Sequence, residues 1–349
     1  MADLTKMLKA AREAVSRASS VCREVQRELE SVQSLTKDDR SPVTVADFAS
    51  QAVVAATLSE LLGHRITLIG EEDADELRQQ VANGNTTIID AVVKSLASVW
   101  PDATRDIVLD AIDLGGSESD PDAGSTHGFW TLDPIDGTKG FLRRGQYAVS
   151  LAWVENGSPI LGVLGCPNLS SDFQRPFDDP DPHGVMYVAM AGDGVVELPA
   201  DQPNAHGVAV ERLEPAEGEP IRMCESVESG HTSHDDSERI LEKLGEPAEP
   251  ARLDSQAKYA VVARGQADLY LRLPKKAKDG SGYYVEKIWD HAAGAIVAKE
   301  AGVAVTDVFG HELDFSHGRR LEQNRGVVAA PVKLHGAAIG VIEHLGIGR

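Results

Sequence analysis

The sequence predicts an α+β first half followed by an α/β second half. Three observations carry that prediction: a long amphipathic helix pattern opens the chain, two glycine-centred hairpins fill its middle, and strand and helix patterns alternate through its last third. At 349 residues the chain suits two domains of about 150 residues each. Residues 199–219, rich in Pro, Glu and Asp, mark the boundary and give domains at 1–203 and 204–349.

In chain order, Leu4, Met7, Leu8, Ala11, Val15, Val21, Val25, Leu29, Val32 and Leu35 recur at three- and four-residue steps with charges on the other face. They predict one helix over 4–35. A second helix, over 46–62, follows "SPVTVAD" and stops at Gly63, a residue suited to the left-handed turn that closes a helix. "RITLIGEE" (65–72) reads as a buried strand ending in two glutamates. Residues 73–85 are polar and read as loop, and helices follow near 86–99 and 104–114. The stretch 115–128, "GGSESDPDAGSTHG", is rich in turn residues, which would suit a mobile segment or a lid. "QYAVSLAWVENGSPILGVLGCPNL" reads as two strands joined at Asn156-Gly157, and "VMYVAMAGDGVVEL" as a second hairpin around Gly192 and Gly194. Beyond the boundary come strand "IRMCES", helix 234–244, strand "ARLDS", helix 256–264, strand "DLYLRL", helix 290–301, strand "GVVAAP" and helix 333–344.

The net charge of −21 argues against a nucleic-acid partner, because phosphate contacts need clustered Lys and Arg. A small phosphorylated substrate stays open if metal ions reverse the local sign. No apolar run reaches the roughly 18 residues of a membrane span, so no membrane is expected. Three scattered cysteines, Cys22, Cys166 and Cys224, suggest neither a disulfide framework nor a zinc site. The charged start "MADLTKMLKAAREA" lacks the apolar core of a secretory signal. The expected location is the cytoplasm.

One segment breaks the pattern. In "FWTLDPIDGTKGF" (129–141) an apolar strand runs straight into Asp133 and Asp136. Burying a carboxylate without a cation costs several kcal/mol, and Lys139 alone cannot neutralise both. Either the acids face solvent from a turn or they hold a metal. Pro134 fixes a backbone angle and Gly137 permits a tight turn, so Asp133, the Ile135 carbonyl and Asp136 can converge, with the Thr138 hydroxyl at the edge. Hard oxygen ligands of this kind suit Mg²⁺. Other acids are weaker signals singly. Asp47 and Asp290 each sit where a helix begins, a capping position, and Glu71 and Glu72 could form a solvated turn.

Taken in order, Asp47, Glu71-Glu72, "DPIDGT" (133–138) and "WDHAAG" (289–294) resemble the signature of the lithium-sensitive, Mg²⁺-dependent phosphomonoesterases. That superfamily includes inositol monophosphatases, inositol polyphosphate 1-phosphatases, fructose bisphosphatases and 3′(2′),5′-bisphosphate nucleotidases. The resemblance spans roughly 40–330 and implies the layered αβαβα sugar-phosphatase (inositol monophosphatase-like) fold. "ESGHTSHD" (228–235), "LDSQAKYAVVARGQADLYLRLP" (253–274) and "EKIWDHAAG" (286–294) are similar to the substrate side of the bisphosphate nucleotidases in particular.

The resemblance implies two to three Mg²⁺ ions and inhibition by Li⁺. It places Glu71, Asp133 and the Ile135 carbonyl on one ion and Asp133, Asp136 and Asp290 on a second, with a weaker third near Glu71 and Asp47. Thr138 and Glu72 would orient the attacking water, with Asp47 polarising the Thr138 hydroxyl. Thr138, His231, Ser255, Lys258, Arg272 and Asp290 would meet the substrate, Lys258 and Arg272 facing its second phosphate. For Arg272 the competing reading is a surface ion pair. "KKAK" (275–278), the one dense basic patch, would steer an anionic substrate or be a solvated loop; it lies in a link longer than the family's usual run. The implied activity is release of phosphate from a small phosphorylated nucleotide, adenosine 3′,5′-bisphosphate or 3′-phosphoadenylyl sulfate, by a monomer serving sulfur assimilation. An inositol polyphosphate 1-phosphatase and a non-catalytic nucleotide and metal sensor are the alternatives.

Overall fold

The computed structural model describes residues 3–31, 41–117, 128–215, 218–227, 234–245, 248–276 and 282–349. Helices α1 (Leu4–Ser31) and α2 (Ser41–Leu62) pack along each other. Strand β1 (Leu68–Gly70) leads to α3 (Asp75–Ala82), α4 (Thr87–Ser95), α5 (Arg105–Ile112) and a 3₁₀ turn at Asp113–Gly115. Next come β2 (Phe129–Asp136), the short α6 (Thr138–Arg143), β3 (Ala148–Glu155), β4 (Ser158–Cys166), β5 (Val185–Met190), β6 (Gly194–Pro199) and β7 (Val208–Ala209). These seven strands form one sheet in sequence order, parallel between β1 and β2 and antiparallel elsewhere.

The rest of the chain supplies β8 (Met223–Glu225), α7 (His234–Leu244), β9 (Ala251–Arg252), α8 (Ala257–Ala263), β10 (Leu269–Arg272), α9 (Ala292–Glu300), β11 (Val303–Thr306), β12 (Val327–Pro331) and α10 (Val332–Leu345). Its five strands are ordered β11-β12-β10-β8-β9, with β8 parallel to both β9 and β10. Helices α8 and α9 fill the space between the sheets: α9 packs on β3, β4 and β5, and α8 on β8, β10 and β12. Helices α1 and α2 cover the outer face of the first sheet, and α7 and α10 that of the second. The layers therefore run αβαβα.

Strand alternation feeds these layers. In β10, Leu269 and Leu271 point to the outer core while Tyr270 enters the central one. In β4 a Cβ on Gly162 would meet Ile296 of α9 at 2.4 Å, so a bare backbone there lets the central helix seat against the sheet.

Several expectations are corrected. Residues 73–85 hold α3, whose Leu77 is buried and whose Asp75 and Glu76 suit a helix N-terminus. Thr138–Arg143 is a helix and Val303–Thr306 an added strand. The second helix starts at Ser41, so Asp47 lies inside it and caps nothing. Its Thr44–Leu62 segment is long and apolar enough to cross a membrane, against the expectation of no such run, but 78% of it is buried inside the protein, as a core helix requires. The turn-rich residues 118–127 and the end of the first predicted helix, 32–35, lie outside the described residues.

Candidate metal and active site

The site is built by the way β2 ends. Its ladder with β3 pairs Asp133 with Ser150 and Asp136 with Ala148, with a register shift between them. Pro134 has no N–H to give that ladder, so the strand bulges there. The Ile135 N–H turns to Asp133 Oδ1 at 3.1 Å, and Ser50 Oγ on α2 donates to the Pro134 carbonyl at 2.8 Å. Gly137 has φ +86°, and a Cβ there would lie 2.9 Å from the Ser255 Cβ. Conformation and space both demand glycine.

Other elements bring further acids to this turn. Asp47, 7% exposed, projects from α2 toward Glu72 and Glu71. The Glu71 N–H donates to the Leu132 carbonyl at 3.2 Å, which fixes the end of β1 beside β2 and brings the Glu71 carboxyl next to Asp133. Glu72 is set by Gln51: its N–H donates to Gln51 Oε1 at 3.1 Å and its carbonyl accepts from Gln51 Nε2 at 2.6 Å. Asp136 Oδ2 accepts the Gln256 N–H at 2.5 Å, a bond from the second sheet's side of the cleft. Asp290, just before α9, interacts with Asp136 and Glu71.

The electrostatics of this cluster are one-sided. Burial, then Glu71, Asp136, Asp290 and Asp47, hold the Asp133 carboxyl well above the usual range. Burial, then Glu72 and Glu71, do the same to Asp47. Burial raises Glu71, and burial with Glu71 and Asp73 pushes Glu72 up to about 7. Asp290 is raised mainly by burial although Arg272 opposes it. Clustered carboxyls that can lower their energy only by taking up protons form a site that a cation would satisfy. The donors are carboxylate and carbonyl oxygens, the hard set that fits Mg²⁺.

Three side-chain cations near the cluster are committed to other partners. Arg272 Nη2 lies 2.6 Å from Glu286 Oε2 and 3.5 Å from Asp290 Oδ2. Glu286, Asp290 and His291 form a group whose ligand atoms lie within 4.8 Å of one another, but the cation beside them is that guanidinium. Burial would raise the Glu286 carboxyl, yet Arg272 and His291 outweigh it and hold it down at about 2. Lys258 is 2% exposed; its Nζ donates to the Leu253 carbonyl at 3.3 Å and lies 5.5 Å from the Tyr270 ring centre. Burial lowers its pKa while Asp136 raises it. Arg319 Nη2 donates to the Gly70 carbonyl at 2.6 Å and stacks on Trp289, beside Glu71.

The structure thus brings Asp47, Glu71, Glu72, Asp133, Ile135, Asp136, Thr138 and Asp290 together, with Ser255 next to Gly137. Ser255 is buried, has φ +71°, and accepts the Ala257 N–H on Oγ at 3.1 Å. Three details describe how these side chains sit. The Thr138 hydroxyl donates to the Ile135 carbonyl at 3.5 Å rather than to Asp47, because the start of α6 folds it back over its own preceding turn. Arg272 forms a largely enclosed ion pair, its side chain 14% exposed, rather than one on the open surface. Lys258 is enclosed by the Leu253 carbonyl and the Tyr270 ring. His231 and the second half of the basic patch, Ala277 and Lys278, lie outside the described residues.

Sequence reasoning missed Ser50, Gln51, Glu286, His291 and Tyr259. Ser50 and Gln51 stand three and four residues after Asp47, the spacing of one helix face, and that signal could have found them. Glu286 stands four before Asp290, but the segment between them is not helical, so no period pointed to it.

The family described as "Inositol monophosphatase family" matches residues 3–345. A Schizosaccharomyces pombe protein named 3′(2′),5′-bisphosphate nucleotidase is 41% identical over 327 residues, covering 91% of this chain and 89% of that protein. An Oryza sativa protein of the same name is 40% identical over 349 residues, covering 94% and 90%. Among solved structures, inositol monophosphatase from Anabaena (Nostoc) sp. PCC 7120 superposes with a TM-score of 0.58 at 18% identity, over 99% of this chain and 97% of that one. That likeness concerns the fold.

Proposed function

The chain belongs to the inositol monophosphatase family, and from that premise we propose that it is a Mg²⁺-dependent 3′(2′),5′-bisphosphate nucleotidase. It releases phosphate from adenosine 3′,5′-bisphosphate, leaving AMP, and from 3′-phosphoadenylyl sulfate. The observation that carries the chemistry is the convergence of carboxyls on the DPIDGT turn, Asp47 and Asp133 buried and Glu72, Asp136 and Asp290 partly so. The substrate class is supported by relatives of that name at about two-fifths identity along nearly the whole chain.

Glu71, Asp133, the Ile135 carbonyl, Asp136 and Asp290 would hold two Mg²⁺ ions, with Asp133 shared and a third ion near Glu71 and Asp47. When bound, such ions neutralise charge on phosphoryl oxygens and lower the pKa of water. Glu72, held beside Glu71 by its backbone bonds to Gln51, then orients the attacking water and takes its proton, and a base so placed contributes about 10²–10⁴-fold. Thr138, at the helix start beside the Ile135 carbonyl, orients the same water. Ser255 and His231 hydrogen-bond the nucleotide. Lys258 and Arg272 supply fixed positive charge to the second phosphate. Li⁺ is expected to inhibit by occupying a Mg²⁺ position. Three buried, unpaired cysteines fit a reducing cytoplasm, where removal of a nucleotide by-product serves sulfur assimilation.

The test is phosphate release from adenosine 3′,5′-bisphosphate and inositol 1,4-bisphosphate side by side, with Mg²⁺ and with or without Li⁺. Lithium-sensitive preference for the nucleotide is the expected result. Preference for the inositol compound would keep the metal chemistry and overturn the substrate. Binding of nucleotide without phosphate release would overturn the enzyme.

A further inference from the structure

Behind Asp290 and Arg272 runs a row of buried groups, Tyr259, His291 and Glu286, that the proposed reaction does not use. Tyr259 Oη and His291 Nδ1 are 2.8 Å apart, His291 Nε2 lies 3.5 Å from Glu286 Oε2, and Glu286 Oε2 lies 2.6 Å from Arg272 Nη2. The same guanidinium nitrogen is 3.5 Å from Asp290 Oδ2. Tyr259 and His291 are fully buried and Glu286 nearly so, so little water screens these charges. One guanidinium therefore stands between two carboxylates and leans on Glu286.

That lean matters for a metal ligand. Arginine keeps its charge and prefers two-pronged contact with a carboxylate. Arg272 Nε is buried and makes no hydrogen bond, so the guanidinium has donor capacity to spare. Released from Glu286, it would close on Asp290 and cancel the negative charge that a divalent ion needs there. We infer that Glu286 is a positioning residue that holds Arg272 off Asp290 and so keeps that carboxylate available to Mg²⁺. His291 Nε2 stands 3.5 Å from Glu286 Oε2 on the far side, close enough for charge attraction but without a hydrogen bond. The inference rests on the reading of Asp290 as a metal ligand.

The experiment is Mg²⁺ titration by calorimetry on the full chain, without substrate, alongside circular dichroism. Glu286→Gln is expected to weaken Mg²⁺ binding by about 10–100-fold, as loss of a supporting partner does at metal sites. The double variant Glu286→Gln/Arg272→Gln is expected to return to within about threefold of wild type, a non-additive rescue between coupled neighbours. A merely structural role for Glu286 gives no rescue. Equal binding by wild type and Glu286→Gln, or a double variant as weak as the single, overturns this inference alone. Wild type that binds no Mg²⁺ overturns the metal reading and this inference with it. If Glu286→Gln does not fold, Arg272→Gln alone is titrated: Mg²⁺ binding as tight as wild type or tighter supports the inference, and weaker binding overturns it.

Discussion

Asp136 is where the demands of folding and of the proposed chemistry separate most clearly. Its Oδ2 accepts the Gln256 N–H, a bond that an asparagine oxygen can also accept. Its negative charge, in contrast, burdens Asp133 and Asp290. Asp136→Asn should therefore lower kcat by more than the roughly 10–100-fold lost with a metal site's outer partner, while the unfolding temperature in EDTA stays level or rises. Phosphate release and thermal unfolding of the two proteins check both halves, and near-wild-type turnover would sink the assigned role. At this scale the sequence is legible where rules of backbone chemistry apply: Pro134 and Gly137 announced a turn that gathers Asp133 and Asp136. It is illegible where a side chain's partner is remote. Nothing near Arg272 in the chain says that Glu286 will take its charge, and nothing near Lys258 says that Tyr270 and the Leu253 carbonyl will enclose it.

Helix α2 does at the level of an element what no single residue does. Asp47, Ser50 and Gln51 share one face and reach, in turn, the carboxyl cluster, the Pro134 carbonyl and both backbone groups of Glu72. Gln51 Nε2 also donates to the Ile112 carbonyl at 2.9 Å, and a Cβ on Gly70 or Gly115 would come within 2.4 Å of its amide. Gln51→Leu leaves those peptide groups without their side-chain partner, at about 1–3 kcal/mol for each one that stays buried. The expected outcome is a clear fall in the midpoint of denaturant unfolding together with a raised Mg²⁺ requirement, since Glu71 and Glu72 lose their anchor. An unfolding midpoint and Mg²⁺ half-saturation equal to wild type would dismiss the clamp. Elements with strong local signals were foreseen: Asn156-Gly157 joins β3 to β4, and α7 spans His234–Leu244 as its pattern says. Elements that rely on tertiary support were not. Helix α3 buries little beyond Leu77, and β11 exists because β12 pairs with it.

Across the whole molecule, the αβαβα layering places the acid cluster where the ends of β1 and β2 meet Ser255 and Asp290 from the other sheet's side, and the protein folds around that charge before any ion neutralises it. The cost should be visible as a pH dependence. Asp47, Glu71, Glu72, Asp133 and Asp290 all have folded-state pKa values above their ordinary ones, Glu72 moving from 4.5 to about 7. A raised carboxyl favours the fold fully below its ordinary pKa and loses that contribution as the pH rises through the folded value. Acids with lowered values, such as Glu286, Asp181 and Asp314, act oppositely, but their contribution is lost only below the ordinary carboxylate range. Between about pH 5.5 and about pH 8 the buried His291 and His335, whose pKa values burial lowers, work the other way, and the five raised carboxyls outnumber them. In EDTA at fixed ionic strength the unfolding temperature should fall across that window, with Glu72 alone contributing on the order of 2 kcal/mol once solvent screening is allowed for. Saturating Mg²⁺ should remove most of the fall, because the ion stabilises the ionised carboxylates and binding displaces their protons. Asp136→Asn, with one charge fewer in the cluster, should show a shallower fall in EDTA and a smaller gain from Mg²⁺. Thermal unfolding of both proteins in a grid of pH and Mg²⁺ measures all of this at once. A metal-free protein equally stable at both ends of the window, or a Mg²⁺ gain that does not grow with pH, would mean that the carboxyl cluster is not the molecule's principal electrostatic burden.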